Sequence, residues 1–306
     1  MNHTDYTSVL TELAHTFPEA VILRDEPLAK HCSFRIGGPA AAVIQPAGAD
    51  DLAAICGRLA QLGIEPFLLG NGTNMLFPDE GLDRIVIQTS RAAGGVSVDG
   101  DVLTAECGVT LARAATTARA AGLTGLEFAH GIPGSVGGGV VMNAGAYGGE
   151  LVSVITETDY LDADMNTLTL RGEEHGFSYR HSFFSDNGGV VLRTRMRLQP
   201  GDPEAIGAKM KELADKRRAS QPLELPSAGS TFKRPVGGFA AALIDEAGLK
   251  GYTVGGAQVS PKHAGFVVNI GGATCADVLA LMDHIREVVA ARSGITLEPE
   301  VRIIRG

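Results

Sequence analysis

Cysteine is scarce and scattered. Cys32, Cys56, Cys107 and Cys275 are the only four, and none belongs to a CxxC pair. That spacing argues against a disulfide framework and against a structural zinc site. The eight histidines form no HExxH or comparable ligand pattern, so no metal site is expected. No apolar run approaches the ~20 residues of a membrane span. Residues 1–20 are polar and mixed and lack the basic, apolar and small-residue regions of a secretory signal. A soluble, cytoplasmic protein without a membrane partner is the expectation. Positive charge is also short, because 26 Lys and Arg against 35 Asp and Glu leave a net charge of −9. A broad nucleic-acid or anionic-membrane surface is therefore not expected, although a local basic cluster can still hold a small anion. Two nucleotide signatures are missing as well. There is no Walker A sequence, and neither glycine loop completes G-x-G-x-x-G, because Met75 and Met142 stand at the sixth positions. A P-loop kinase and a Rossmann dinucleotide site are disfavoured.

What is present is an ordinary globular composition: 306 residues, 44% apolar and 20% charged, enough for two domains or three. Leu10, Leu13 and Phe17 recur at helical spacing near the start. "FRIGGPAAAVIQP" reads as a glycine turn followed by a strand. "ADDLAAICGRLAQLG" reads as an amphipathic helix with Leu52, Ile55, Leu59 and Leu62 on one face, Asp50 as N-cap and Gly63 at C′. "PFLLG" and "RIVIQ" read as short strands. "VSVDGDVLTAECG" reads as a hairpin, since Asp99-Gly100 is the dipeptide of a type I′ turn. "TLARAATTARAAG" is a helix ended by Gly122. Two strands flank "DADMNT", and "GVVLRTRMRLQP" is a long strand. Pro200-Gly201-Asp202-Pro203 is the strongest break, followed by a helix over 204–218 and a loop-rich section over 219–237. A helix over 240–247, two short strands, a long helix over 276–292 and a last strand "ITLEPEVRIIR" complete the chain. Strands outnumber a βαβ alternation, so the fold class is α+β rather than one doubly wound parallel sheet.

Glycine is concentrated where it is structurally expensive. Residues 131–149, "GIPGSVGGGVVMNAGAYGG", hold eight glycines in nineteen positions. Such density weakens helices and strands, and turns need only one or two. The reading is that backbone there comes close to a partner. A second loop, "LLGNGTNML", leaves a strand and presents successive N–H groups that can cup an anion.

The segments "FRIGG", "LLGNGTNML", "GLEFAHGIPGSVGGGVVMNAGAYGGE", "SYRHSFF", "QPLELPSAGSTFKRP", "GLKG" and "LEPEVRIIRG" occur in this order from about residue 30 to the C-terminus. Together they resemble the UDP-N-acetylenolpyruvoylglucosamine reductase family, in its shorter type without a tyrosine-loop insert. The resemblance implies an FAD-binding module of the vanillyl-alcohol-oxidase (PCMH) type over 1–202, with parts at about 1–65 and 66–202. It implies a C-terminal α+β substrate-binding domain over 203–306, whose last strand, 295–306, returns to the active site. It also implies NADPH-dependent reduction of UDP-N-acetylglucosamine enolpyruvate, through FAD, to UDP-N-acetylmuramate. FAD is expected to be non-covalent, with His130 the only nearby candidate for a link, and the protein is expected to be a monomer.

Reducing an enolpyruvyl C=C needs a hydride at C3, a proton at C2 and stabilisation of an enolate beside a carboxylate. Arg180 in "SYRHSFF" matches the family's catalytic arginine, and a guanidinium suits a carboxylate bidentately. Ser230 in "AGSTFKRP" matches the proton donor, and Glu300 in "LEPEVR" the catalytic glutamate. Read alone, Arg180 would be a solvated cation on a ring, Ser230 a turn cap and Glu300 an edge-strand carboxylate like Glu298. The resemblance places Gly70, Asn71, Gly72, Thr73, Asn74, Gly131, Ile132, Pro133, Gly134, Ser135, Gly137, Gly138 and Asn143 on the cofactor. It places Tyr147, Tyr179, Lys233, Arg234, Lys250 and Arg302 on the substrate. Arg234 stands where many members carry Asn, and Gly139 where Ala is common. Lys262 and His263 take no assigned role.

Two other readings compete. A flavin oxidase or dehydrogenase of the same module would act on an alcohol or hydroxy acid, but would have no reason to carry "AGSTFKRP" and "LEPEVR". A nucleotide-binding module without turnover would not need Arg180, Ser230 and Glu300 together.

Overall fold

The computed structural model describes residues 5–89 and 94–305. Gly306, the end of the expected last strand, and residues 1–4 of the N-terminal segment lie outside them. The chain forms two compact units. One comprises 1–24, 42–71 and 84–216, and the other 25–41, 72–83 and 217–306. This division differs from a single break at Pro200–Pro203, because the helix Pro203–Ser220 runs on from the first unit and two earlier segments join the second.

The first unit is built on an antiparallel five-stranded sheet. Its order is Thr167–Arg171, Ile155–Leu161, Val190–Arg197, Val102–Glu106 and Val96–Asp99. Its core joins Leu10 and Leu13 of the helix Thr7–Thr16, Leu52, Ile55 and Leu59 of the helix Ala49–Gln61, and Ala114 and Ala118 of the helix Leu111–Ala120. The 3.6-residue spacing of these apolar positions is what turns one helix face inward. Leu62, read as part of that face, lies beyond the helix end and is 42% exposed. Asp50 is not the N-cap. That position is Gly48, Glu106 Oε2 accepts from Ala49 N–H at 3.2 Å, and Asp50 instead pairs with Arg193 at 2.7 Å. Thr110 does cap its helix, accepting from Arg113 N–H at 3.1 Å.

The 96–106 hairpin forms, but its turn is one residue later than the dipeptide suggests. Asp99 pairs with Val102, so Gly100 and Asp101 are the central residues. Only Gly100 of that pair has positive φ, +57°. A type I′ turn needs positive φ at both central positions, so the turn is not of that type.

In the second unit, Phe34, Ile36, Phe77, Val267, Val278, Leu281, Ile285 and Leu297 are buried. Three short strands, Thr253–Val254, Ala257–Val259 and Val267–Asn269, form an antiparallel sheet where two strands were expected. The helix Cys275–Ser293 carries a full capping box, in which Thr274 and Asp277 each accept from the other's N–H at 3.0 Å. The expected last strand shrinks to Arg302–Ile303, paired parallel with Met75–Leu76. Pro299 offers no N–H, and Glu300 and Val301 both direct theirs to the Thr231 carbonyl, at 2.8 and 3.4 Å, which interrupts the ladder.

Candidate active site

The two glycine loops meet in the first unit. At Gly70 the chain leaves the strand Phe67–Leu69, and Asn71 Nδ2 donates to the Pro133 carbonyl at 2.7 Å. A Cβ on Gly70 would lie 2.6 Å from Ser135 Oγ. Ser135 in turn caps the short helix Val136–Val141, accepting from Gly138 N–H at 3.3 Å. The dense glycines therefore have two causes. Gly137 and Gly149 are small because the chain packs on itself, with a Cβ meeting Cys107 Cβ at 2.8 Å or the Phe128 ring at 2.5 Å. Gly138 is exposed, with nothing nearer its would-be Cβ than Ser135 Oγ at 3.4 Å. Ile132 and Gly134 are half-buried and Pro133 is exposed. The buried Nδ1 of His130, at the start of this loop, makes no hydrogen bond among the described residues. Backbone accessible at 131–134 and 138, beside an orphaned ring nitrogen, fits a flavin nucleotide rich in acceptor oxygens.

The rest of the first loop belongs to the second unit. Gly72 has φ +62° and its carbonyl accepts from Ser33 N–H at 3.1 Å. Asn74 Nδ2 donates to the Glu300 carbonyl at 3.1 Å, and the Asn74 carbonyl accepts from Arg302 N–H at 3.0 Å. Thr73 is half-buried.

Arg180 and Tyr179 form the tip of a two-residue turn. Ser178 and His181 exchange backbone hydrogen bonds at 3.1 and 3.2 Å. Arg180 has φ +55°, its Nη2 donates to the Gly145 carbonyl at 3.2 Å, and its guanidinium carbon lies 4.9 Å from the Tyr179 ring centroid. A non-glycine residue in the left-handed region is strained, and such strain collects at functional sites. Tyr147, φ +54°, stands at the tip of the hairpin Gly145–Ala146 and Gly149–Glu150, 46% exposed. Asn143 is 1% exposed, and its amide is fully engaged with Glu150, Ser178 and Val152. Its side chain is thus committed to the protein rather than to a cofactor.

In the second unit Thr231 ties the segment that carries Ser230 to the one that carries Glu300. Its N–H donates to the Gly265 carbonyl at 2.9 Å, its Oγ1 accepts from Val267 N–H at 3.0 Å, and its carbonyl accepts from Glu300 N–H at 2.8 Å. Ser230 is exposed, and its hydroxyl makes no hydrogen bond among the described residues, so it caps nothing there. Glu300 is half-buried. Glu298 points elsewhere, 3.5 Å from Lys233. Arg234 lies over the Phe239 ring at 4.0 Å and donates to the Gly238 carbonyl at 3.3 Å. Lys250 pairs with Asp245 at 2.5 Å. Arg302 is exposed. Thr231 and Glu150 lie inside motifs that the sequence reading quoted. Neither was expected to act, since the partners of Thr231 (Gly265, Val267 and Glu300) are far away in the chain and the link of Glu150 to Asn143 depends on a local fold that no motif spells out. Among the described residues no group of three or more His, Cys, Asp or Glu could hold a metal ion, and no helix is long and apolar enough to cross a membrane.

Comparison with known proteins identifies the family. Residues 40–171 match the model of an FAD-binding domain, and residues 221–304 the model of the UDP-N-acetylenolpyruvoylglucosamine reductase C-terminal domain. The fold is thus α+β, an FAD-binding module of the vanillyl-alcohol-oxidase type with a C-terminal domain, and the protein is an FAD-containing oxidoreductase. UDP-N-acetylenolpyruvoylglucosamine reductase of Caldanaerobacter subterraneus subsp. tengcongensis is 44% identical over 97% of this chain and 98% of its own length. That of Heliobacterium modesticaldum is 47% identical over 92% of this chain and 90% of its own. The crystal structure of the Thermus caldophilus reductase superposes with a TM-score of 0.80 at 34% identity, covering 94% of this chain and 99% of that one. The chain belongs to the UDP-N-acetylenolpyruvoylglucosamine reductase family.

Proposed function

We propose that this enzyme reduces UDP-N-acetylglucosamine enolpyruvate to UDP-N-acetylmuramate with NADPH, through non-covalently bound FAD, as a cytoplasmic step of peptidoglycan precursor synthesis. The observation that carries the reading is 44% identity to a reductase of that name over 97% of the chain. Arg180, Ser230 and Glu300 all stand at the positions that the resemblance requires. The FAD cradle is assigned to Gly70–Asn74 and 131–138, within a module over 1–202. The domain over 203–306 is assigned to the substrate. FAD, when bound, supplies the hydride to the enolpyruvyl C3.

The chain's own residues supply the rest. Arg180, a permanent cation in a fixed turn, binds the substrate carboxylate and stabilises charge developing on the enolate. Ser230, whose hydroxyl makes no hydrogen bond among the described residues, delivers the proton to C2, with Lys233 and Arg234 favouring loss of that proton. Glu300, held by Thr231 and Asn74, partners the enolate oxygen. Tyr147, Tyr179, Lys250 and Arg302 hold the sugar nucleotide. The protein acts as a monomer, and its net charge of −9 supports the absence of a nucleic-acid partner.

The test is consumption of NADPH by the purified yellow protein. It should require the enolpyruvyl sugar nucleotide and yield UDP-N-acetylmuramate by mass spectrometry. Substrate-independent NADPH consumption, or oxidation of an alcohol or hydroxy acid with uptake of oxygen instead, would overturn the assignment. Acid precipitation should release the flavin, and a pellet that stays yellow would refute the non-covalent link.

A further inference from the structure

Asn143 sits where three segments of the first unit converge. Its Nδ2 donates to Glu150 Oε2 and to the Ser178 carbonyl, each at 3.1 Å, and its Oδ1 accepts from Val152 N–H at 3.0 Å. Its own N–H donates to the Val140 carbonyl at 3.2 Å. The residue is 1% exposed and has φ +41°, a left-handed conformation that Asn tolerates better than most side chains. A carboxamide can donate twice and accept at once, which an Asp cannot do. The Glu150 carboxylate, an acceptor only, sets which end of the amide faces it and so which hydrogen remains for Ser178.

The Ser178 carbonyl is also the acceptor that closes the turn bearing Tyr179 and Arg180, from His181 N–H at 3.2 Å. The same stretch receives two further anchors from this segment. Arg180 Nη2 donates to the Gly145 carbonyl at 3.2 Å, and Ser182 Oγ to the Val141 carbonyl at 2.8 Å. The 178–182 segment is therefore seated on 141–145, and Asn143 is the residue of that platform that holds it through its side chain. Arg180 itself is strained, so its geometry must be imposed by its surroundings.

We propose that Asn143 is a positioning residue for the reduction. By holding the Ser178 carbonyl, it keeps the 178–181 turn in the one arrangement that presents Arg180 to the substrate carboxylate. This rests on the reading of Arg180 as the carboxylate- and enolate-binding cation.

Asn143→Asp tests it in the FAD-loaded enzyme. The variant keeps the size and the acceptor for Val152 but loses both donors and faces Glu150 with like charge. Asn143→Asp combined with Glu150→Gln removes the repulsion and restores that link, while the Ser178 carbonyl still receives no hydrogen bond from residue 143. In both variants FAD content and flavin reduction by NADPH should stay near parent values. Hydrogen exchange at the Ser178 and His181 amides should accelerate. Flavin reoxidation by the enolpyruvyl substrate should slow by about 10- to 100-fold, the scale of a ~1 Å misplacement. The double variant should regain thermal stability without regaining reoxidation. Unchanged protection of the turn overturns the proposal, and so does a loosened turn with parent-rate reoxidation. Reoxidation that recovers together with stability in the double variant makes Asn143 merely structural. Arg180→Ala separates the two readings. Parent-rate reoxidation there removes Arg180 from the reaction and the proposal with it. A defect there alongside an intact turn in Asn143→Asp removes Asn143 alone.

Discussion

Gly72 lies directly against the His31 carbonyl, and a Cβ at that position would overlap the oxygen and sit 2.8 Å from Cys32 Cα. With φ +62°, Gly72 is needed by the protein's own backbone, whatever it also offers a cofactor. Gly72→Ala should therefore destabilise the fold. The left-handed backbone alone costs roughly 1–2 kcal/mol for a residue with a side chain, and overlap with backbone atoms adds to that. Urea unfolding followed by circular dichroism checks it. An unchanged midpoint with lost FAD would mean that the glycine serves the cofactor only.

Ser230→Ala separates proton delivery from hydride supply. Flavin reduction by NADPH should run at nearly the parent rate in stopped flow. Reoxidation by the enolpyruvyl substrate should slow by about 10²–10⁴, the range for losing a positioned proton donor. Ser230→Cys should retain part of the activity. If both half-reactions slow alike, Ser230 supports the site's structure. If neither slows, Glu300 is the next candidate for the donor.

Lys250→Ala should weaken the sugar nucleotide and leave flavin reduction alone. A charge-assisted contact to a diphosphate is worth roughly 1.5–3 kcal/mol, or about ten- to a hundredfold in affinity. The existing pair with Asp245, at 2.5 Å, must loosen for that contact to form. Asp245→Asn should accordingly tighten the substrate at low salt. Equal affinity for parent and Lys250→Ala in calorimetry at matched salt removes Lys250 from the site.

His175 makes stability depend on pH. Its ring is fully buried, Nδ1 meets the Gly172 carbonyl at 2.9 Å, Nε2 meets Thr158 Oγ1 at 2.9 Å, and Phe177 stacks on it at 4.9 Å. Burial disfavours the imidazolium and pulls its pKa below the ordinary 6.5. The unfolded chain therefore takes up a proton that the folded one refuses as pH drops below about 6.5. This contribution is fully present above that value and is lost as pH falls through the folded pKa. For one proton the slope is at most about 1.4 kcal/mol per pH unit. Chemical unfolding at a series of pH values should show a decline below 6.5 that is shallower in His175→Gln. An identical slope in the variant would assign the effect to other groups.

Part of the architecture was legible because local periodicity decides it. The helix Ala49–Gln61 follows from Leu52, Ile55 and Leu59, the helix Leu111–Ala120 from its run of helix-forming residues ended by Gly122. The strands at Phe67–Leu69 and Leu82–Gln88 follow from short apolar runs. The ordered motifs also identified the family, since seven segments in sequence carry far more information than any one of them. The shift of the 99–102 turn was not legible, because cross-strand register outranks the preference of a dipeptide.

By itself, then, the sequence determined the family, the FAD-binding class and most helices and strands, all of which depend on residue type and near-neighbour spacing. The tertiary structure decided what depends on partners distant in the chain. It brought Asn71 to Pro133 across 62 positions and Asn74 to Glu300 across 226. It showed that Gly137 and Gly149 are small for Cys107 and Phe128. It cut the last strand to two residues, because Pro299 lacks a donor and Thr231 takes two. It also committed the Asn143 amide to Ser178 rather than to a cofactor, since a buried carboxamide must find its partners inside the protein.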